Sequence, residues 1–160
     1  MTDQEKITNF ETLQHINQVR ALLDRLIIEL IQRAEHHDTT KLEPPELPIF
    51  VEYTPKLAGS TFGSAEYQQF LREMKPALDH HYAHNRHHPE HFPNGIHDMN
   101  LVDLLELLCD WKAATLRHAD GDIKRSIEVS AKRFGISEQL VQILRNTVEL
   151  LEKPEGDVEI

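Results

Sequence analysis

Histidine and aspartate dominate the chemistry this chain could perform. Of its 11 histidines, seven fall between His80 and His97. A further pair stands in the string HHDTTKL, where His37 and Asp38 are adjacent. An imidazole nitrogen and a carboxylate oxygen both suit first-row divalent ions, so a His-Asp pair can hold one metal together. Lys41, three residues on, would lie one turn away and could face the same site. An isolated lysine is most often a solvated surface group.

In DHHYAHNRHHPEHF, helical spacing puts His81, His84 or Asn85, and His88 on one stripe. His80, His84 and His87 or His91 fall on a neighbouring stripe, and spacing does not choose between the two. A polar face that happens to be histidine-rich is the plain alternative. The segment LVDLLELLCDWKAATLRH divides on a helical wheel. Leu101, Leu104, Leu105, Leu108 and Trp111 form an apolar face, opposite Asp103, Glu106 and Asp110 with Leu107, Ala113 and Ala114. Small and apolar residues between the acids argue against a simply wet face. A carboxylate facing a histidine cluster across helices is how helical folds build metal sites.

His15 is harder to place. It shares a helical face with Val19, Leu22 and Leu26, where a histidine is more often a core residue than a ligand. It also stands 22 residues before His37, about 33 Å along an unbroken helix. Both could touch one metal only if the helix breaks between about Leu23 and Glu29, although no Gly or Pro marks such a turn.

Around these residues the chain reads as all-α. A helical pattern spans Ile7 to about Arg33, through Phe10, Leu13, Ile16, Leu23, Ile27 and Leu30. EPPELP at 43–48 interrupts it. Residues 49–63 are ambiguous and end in the loop AGSTFGS. Ser64 can cap a helix from Ala65 towards Lys75. Pro76 kinks that helix or starts another to about His88, which Pro89 stops, and HPEHFPNGIHDM is a loop. Asn100 caps a helix from Leu101 to about His118, and Asp120-Gly121-Asp122 turns the chain. Helices at Ile123–Phe134 and Ser137–Glu152 follow, broken at Gly135. Residues 1–6 and the tail at 153–160 read as loose. The expectation is a single domain, 1–160, of five to seven helices.

Taken in order, His15, His37-Asp38 with Lys41, His80-His81 and Asp110 resemble the H…HD…D ligand order of the HD-domain superfamily of metal-dependent phosphohydrolases. HHDTTK is similar to the HDxGK stretch of HD-GYP phosphodiesterases. The longer string through HHYAHNRHHPEHF to CDWKAA resembles an uncharacterised HD-like family of phages and bacteria, over roughly Thr12 to Ala114. The resemblance implies an HD-domain-like helical fold with metal ligands at His15, His37, Asp38 and Asp110, and a phosphate-facing Lys41. His81, Asn85, His87, His88, Glu106 and Trp111 fall on further matching positions. The chain departs from the pattern in its short spacing from His15 to His37, in having no histidine between residues 38 and 80, and in lacking a GYP motif.

The functional expectation is a phosphohydrolase acting on a small phosphoester, a nucleotide included, with a divalent ion as cofactor (Mn, Fe, Ni, Co, Zn or Mg). His15, His37, Asp38, His81, His88 and Asp110 are the candidate metal ligands. Lys41, His81 and His88 are the candidate catalytic residues: Lys41 to offset phosphoryl charge, a histidine to protonate the leaving oxygen. A non-catalytic metal- or ligand-binding protein is the alternative.

The formal net charge of −10 disfavours nucleic acid, which needs cations against phosphate. SAKRFGISEQLVQILRN has the spacing of a helix-turn-helix at Ala131, Gly135 and Val141, but two packed amphipathic helices give the same pattern. No apolar run reaches the roughly 18 residues of a membrane span. The sole cysteine, Cys109, and the N-terminus MTDQEKITNF, which lacks the pattern of a secretory signal, fit a cytoplasmic protein. Homo-oligomerisation is left open.

Overall fold

The computed structural model describes residues 1–61, 64–117 and 121–153. The fold is all-α, with seven α-helices and no strand among the described residues. Two compact units divide it, Met1–His37 and Asp38–Ile160.

The first unit is one helix, α1 (Asp3–His36). Thr2 and Glu5 form a capping box at its start: the Glu5 N–H donates to the Thr2 hydroxyl, and the Glu5 carboxylate accepts from the Thr2 N–H. The helix is unbroken through Leu23–Glu29, contrary to the turn that a shared His15–His37 site requires. The run Leu22–Ile31 is rich in Leu and Ile and has no Gly or Pro, so nothing local interrupts the hydrogen-bond ladder. No residue of α1 is buried.

The second unit opens with Asp38 in the left-handed region (φ 57°), followed by a 3₁₀ turn at Thr39–Leu42. Next is α2 (Glu46–Gly59), which fills most of the stretch that the sequence left ambiguous. Pro45 precedes the first turn, where a missing N–H costs nothing, and the helix tolerates Pro55 further along. Ser64 caps α3 (Ala65–Glu73), accepting from the Tyr67 N–H at 3.1 Å. Pro76, in the first turn of α4 (Lys75–His84), starts a new helix rather than kinking the old one.

α4 ends at His84, four residues earlier than the expected His88. Asn85 takes up extended backbone, and its side-chain amide donates back to the His81 carbonyl at 2.9 Å. His87 and His88 therefore lie in a loop, and the stripes drawn through them do not exist. Two 3₁₀ turns, Pro89–His91 and Gly95–Asp98, carry that loop to α5 (Leu101–Thr115). Asn100 and Asp103 form the capping box of α5. α6 (Ile123–Phe134) and α7 (Glu138–Leu151) follow. The expected AGSTFGS loop, the end of α5 at His118, the Asp120 turn and the acidic tail fall wholly or partly outside the described residues.

Leu108, Ile123, Ile127, Leu144 and Val148 form the apolar core of α5, α6 and α7, with Trp111, Leu140 and Val141 packed against it. This packing accounts for the helix-turn-helix spacing of α6 and α7. Leu101 and Leu105, assigned to the apolar face of α5, are exposed instead. Gly135 closes α6 with φ 65°, and the space around a Cβ there is open. Gly135→Ala is therefore expected to lower stability through backbone conformation alone, by about 1 kcal/mol, measurable by urea denaturation.

Candidate metal centre

The centre is assembled in the second unit from the loop before the first 3₁₀ turn, from α2 and α4, from the loop after α4, and from α5. Asp38, His81, His87 and His88 each offer one donor atom, and these atoms lie within 4.8 Å of one another. His81 Nε2 is 3.2 Å and His87 Nε2 is 3.5 Å from Asp38 Oδ1. His81 Nε2 and His88 Nε2 are 2.9 Å apart. His81 and His87 are buried, while Asp38 and His88 are half-buried.

The far nitrogens of two of these rings face acids. His81 Nδ1–H donates to Glu46 Oε2 at 2.9 Å, and Glu46 is fully buried. His80 Nδ1–H donates to the other Glu46 oxygen at 2.7 Å, so one carboxylate holds two imidazoles. His87 Nδ1 lies 3.0 Å from Glu106 Oε1. Such carboxylate partners fix the ring orientation and direct the Nε2 lone pair to a metal.

His81 and His87 thus stand between two carboxylates each. A neutral imidazole has one N–H and can donate to only one of them. Its other nitrogen then presents a lone pair to Asp38 Oδ1, an arrangement that calls for a proton or a cation between them. The donor set of imidazoles and one carboxylate fits a first-row divalent ion.

Burial alone would raise the Asp38 carboxyl, but hydrogen bonds from His81, His87 and Lys41 outweigh it and hold it well below the usual carboxylate range. Glu46 is likewise lowered: burial opposes ionisation, and the bonds from His80 and Thr40 with the neighbouring His81 overcome it. His88 is pushed down to about 3, by burial first and then by the charges of His87 and His81, against the pull of Asp110. This leaves His88 neutral at physiological pH, the form that ligates metal and not the form that donates a proton.

Lys41 Nζ sits 2.6 Å from Asp38 Oδ2, with the Phe50 ring 5.4 Å below it. An Asp110 carboxylate oxygen lies within 4.8 Å of one from Asp38, so α5 brings its third acid to the centre. His37 caps the C-terminus of α1, one peptide bond before Asp38, and belongs to the first unit. His15 is exposed on that continuous helix, about 33 Å from His37 by helical rise. It is not part of a site with His37 in the same chain.

Two further histidines have other partners. His84 Nδ1–H donates to the His80 carbonyl, its ring stacked on His80 at 4.1 Å. His91 Nδ1–H donates to the Tyr82 carbonyl at 2.9 Å.

Glu46 was not singled out in the sequence. Its signal is slight: an acid directly after two prolines, at the first turn of a helix that the prolines obscure. Asp103 is fully buried and takes a two-pronged bond from Arg86 at 3.1 and 3.0 Å. It therefore serves the α5 cap and the Arg86 pair. Asp103→Ala is expected to lower stability by about 2 kcal/mol, by opening the α5 cap and losing the bonds from the solvated Arg86, without lowering metal stoichiometry. Thermal melts alongside elemental analysis check both parts.

An all-α protein with a clustered His/Asp/Glu centre able to hold a metal ion is what the fold and site define. The chain belongs to the family described as "Family of unknown function (DUF5662)", whose model matches residues 4–150. No curated protein and no solved structure matches it. Among the described residues, no helix is long and apolar enough to cross a membrane.

Proposed function

We propose that the second unit binds a divalent transition metal through Asp38, His81, His87 and His88, and that the centre hydrolyses a small phosphoester. The observation that carries the metal reading is the placement of His81 and His87 between Asp38 and a further carboxylate. Asp110, with an oxygen within 4.8 Å of one from Asp38, extends the ligand set as a candidate. A bound divalent cation would supply Lewis acidity and ready ionisation of water near neutral pH.

The chain's own groups do the rest. Asp38 anchors the cation. Glu46 and Glu106 aim the rings of His81 and His87. Lys41, whose Nζ is 2.6 Å from Asp38 Oδ2, would offset charge on a phosphoryl oxygen held at the cation. The ordered resemblance to HD-domain phosphohydrolases supports the same reaction class. The acidic surface favours a small substrate, such as a nucleotide, over a polyanion.

A second reading is a binding centre without turnover. Four protein donors are enough to complete a tetrahedral shell, which is how structural sites are closed to water. Metal analysis of the purified protein, then a phosphoester screen with Mn²⁺, Mg²⁺, Co²⁺, Ni²⁺ and Zn²⁺, separates the two. Under the hydrolytic reading Lys41→Ala lowers turnover by about 100-fold or more with metal content unchanged. Stoichiometric metal with no hydrolysis under any cation, and a silent Lys41→Ala, would establish the binding reading instead.

A further inference from the structure

Within its own unit, α1 carries an apolar seam that no other element of that unit covers. Ile16, Val19, Leu23, Leu26 and Leu30 follow one another at intervals of three, four, three and four residues along α1. That is the heptad spacing of a two-helix seam. Leu13, Leu22 and Ile27 flank it. Exposure runs from 41% at Val19 to 60% at Leu22, and Leu30 is half-buried. A helix in water draws most of its stability from the face it buries, and α1 buries none. We propose that α1 pairs antiparallel with α1 of a second copy of this chain, about a two-fold axis near residue 21.

The register follows from the sequence. In an antiparallel pair centred there, Ile16 packs on Leu26 of the second copy, and Val19 on Leu23 of the second copy. The positions beside the seam then match. His15 comes opposite Glu29 of the second copy, Leu22 opposite Leu22, and Leu13 opposite Ile27. A parallel pair would instead set His15 beside Arg20, a worse match for two groups that can both be cationic. Arg20 lies near the axis in the antiparallel pair, where Asp24, one turn away on the same helix, offsets the like charge.

The area is sufficient. The eight apolar side chains of the seam and its flanks present roughly 60 Å² each, or about 500 Å² per copy. Both copies together would cover about 1,000 Å² of apolar surface. With its polar margin the interface then falls within the roughly 1,200–2,000 Å² of stable pairs. One self-complementary helix meets the demand of two-fold symmetry, in which the same patch serves both sides.

Sedimentation velocity of the full chain at roughly 10 µM should give twice the chain mass of 18.6 kDa. Leu23→Asp with Leu26→Asp should give the monomer, and Leu23→Ile with Leu26→Met should retain the dimer. A monomeric wild type, or a dimer that survives the Asp pair, overturns the proposal. Cross-linking tests the register even if the Asp variant fails to fold. In a Cys109→Ser background, Ile16→Cys chains mixed with Leu26→Cys chains should form the mixed disulfide. A disulfide between two Ile16→Cys chains, or no cross-link, overturns the antiparallel register.

Discussion

If the centre holds metal as proposed, Asp38→Asn is expected to strip it from the protein and leave the fold in place. The expectation rests on two properties of the residue. Its Oδ1 is the atom on which His81 Nε2 and His87 Nε2 converge, at 3.2 and 3.5 Å. Asn keeps the shape but loses the charge that makes the position a hard anchor for a dication. The loss of affinity should exceed the roughly 10–100-fold typical of removing an outer partner. Asp38 is also the only non-glycine described residue with positive φ. Asn tolerates that conformation and Ala does not, so Asp38→Ala should add a backbone cost of about 1–2 kcal/mol. Elemental analysis after dialysis, with far-UV circular dichroism as the control, checks this. A metal-replete Asp38→Asn protein would remove Asp38 from the ligand set.

Glu46→Ala should have the largest effect on stability. The carboxylate is fully buried and accepts from two imidazoles, His80 and His81. Removing it leaves the buried His81 without its carboxylate and opens space beneath α4. Two hydrogen bonds to a charged acceptor are lost, at about 1.5–3 kcal/mol each, for a cost of about 3–5 kcal/mol. At roughly 2–4 °C per kcal/mol for a chain of this size, Tm should fall by about 6–20 °C. Metal affinity should fall by about 10–100-fold as well, because the His81 ring loses its aim. Glu46→Gln keeps the volume but can accept from only one ring through its single oxygen, so it should lie between wild type and Ala in both measurements. Thermal melts and metal titrations of the three proteins test the order. Equal metal affinity for all three would show that Glu46 supports packing alone.

Much of the helical frame was legible from spacing and caps. α6 matches its expected bounds, Ser64 and Asn100 act as caps, and Asp38, at the start of the second unit, meets Asp110 from α5. Reading the acids of α5 as an inward face also holds, since Asp103 is buried and Glu106 nearly so. Errors arose where one residue decides the path of the chain. Asn85 ends α4 with a side-chain bond to its own helix, and this moves His87 and His88 off any stripe. Local sequence permits a helix there, and only the alternative amide bond shows why it stops. The prolines at 44, 45, 48 and 55 hid α2, and Glu46 with it. His15 failed for the opposite reason: resemblance required a bend that no residue in Leu23–Glu29 supplies.

Cohesion within the second unit has two seats of different kinds. One is the dry apolar core of α5, α6 and α7. The other is the histidine–carboxylate centre, whose Glu46 and His81 tie α2 to α4 and whose Asp38 reaches from the chain before them. α5 borders both, with Leu108 on one side and Glu106 and Asp110 on the other. Hydrophobic burial holds the first at any metal concentration, whereas an ion bound as proposed would stabilise the second by an amount that rises with the logarithm of its concentration over its dissociation constant. With the proposed ion in place, a chelator is therefore expected to act on half of this unit: amide exchange should quicken in the layer of α2 and α4 and stay unchanged in α6 and α7.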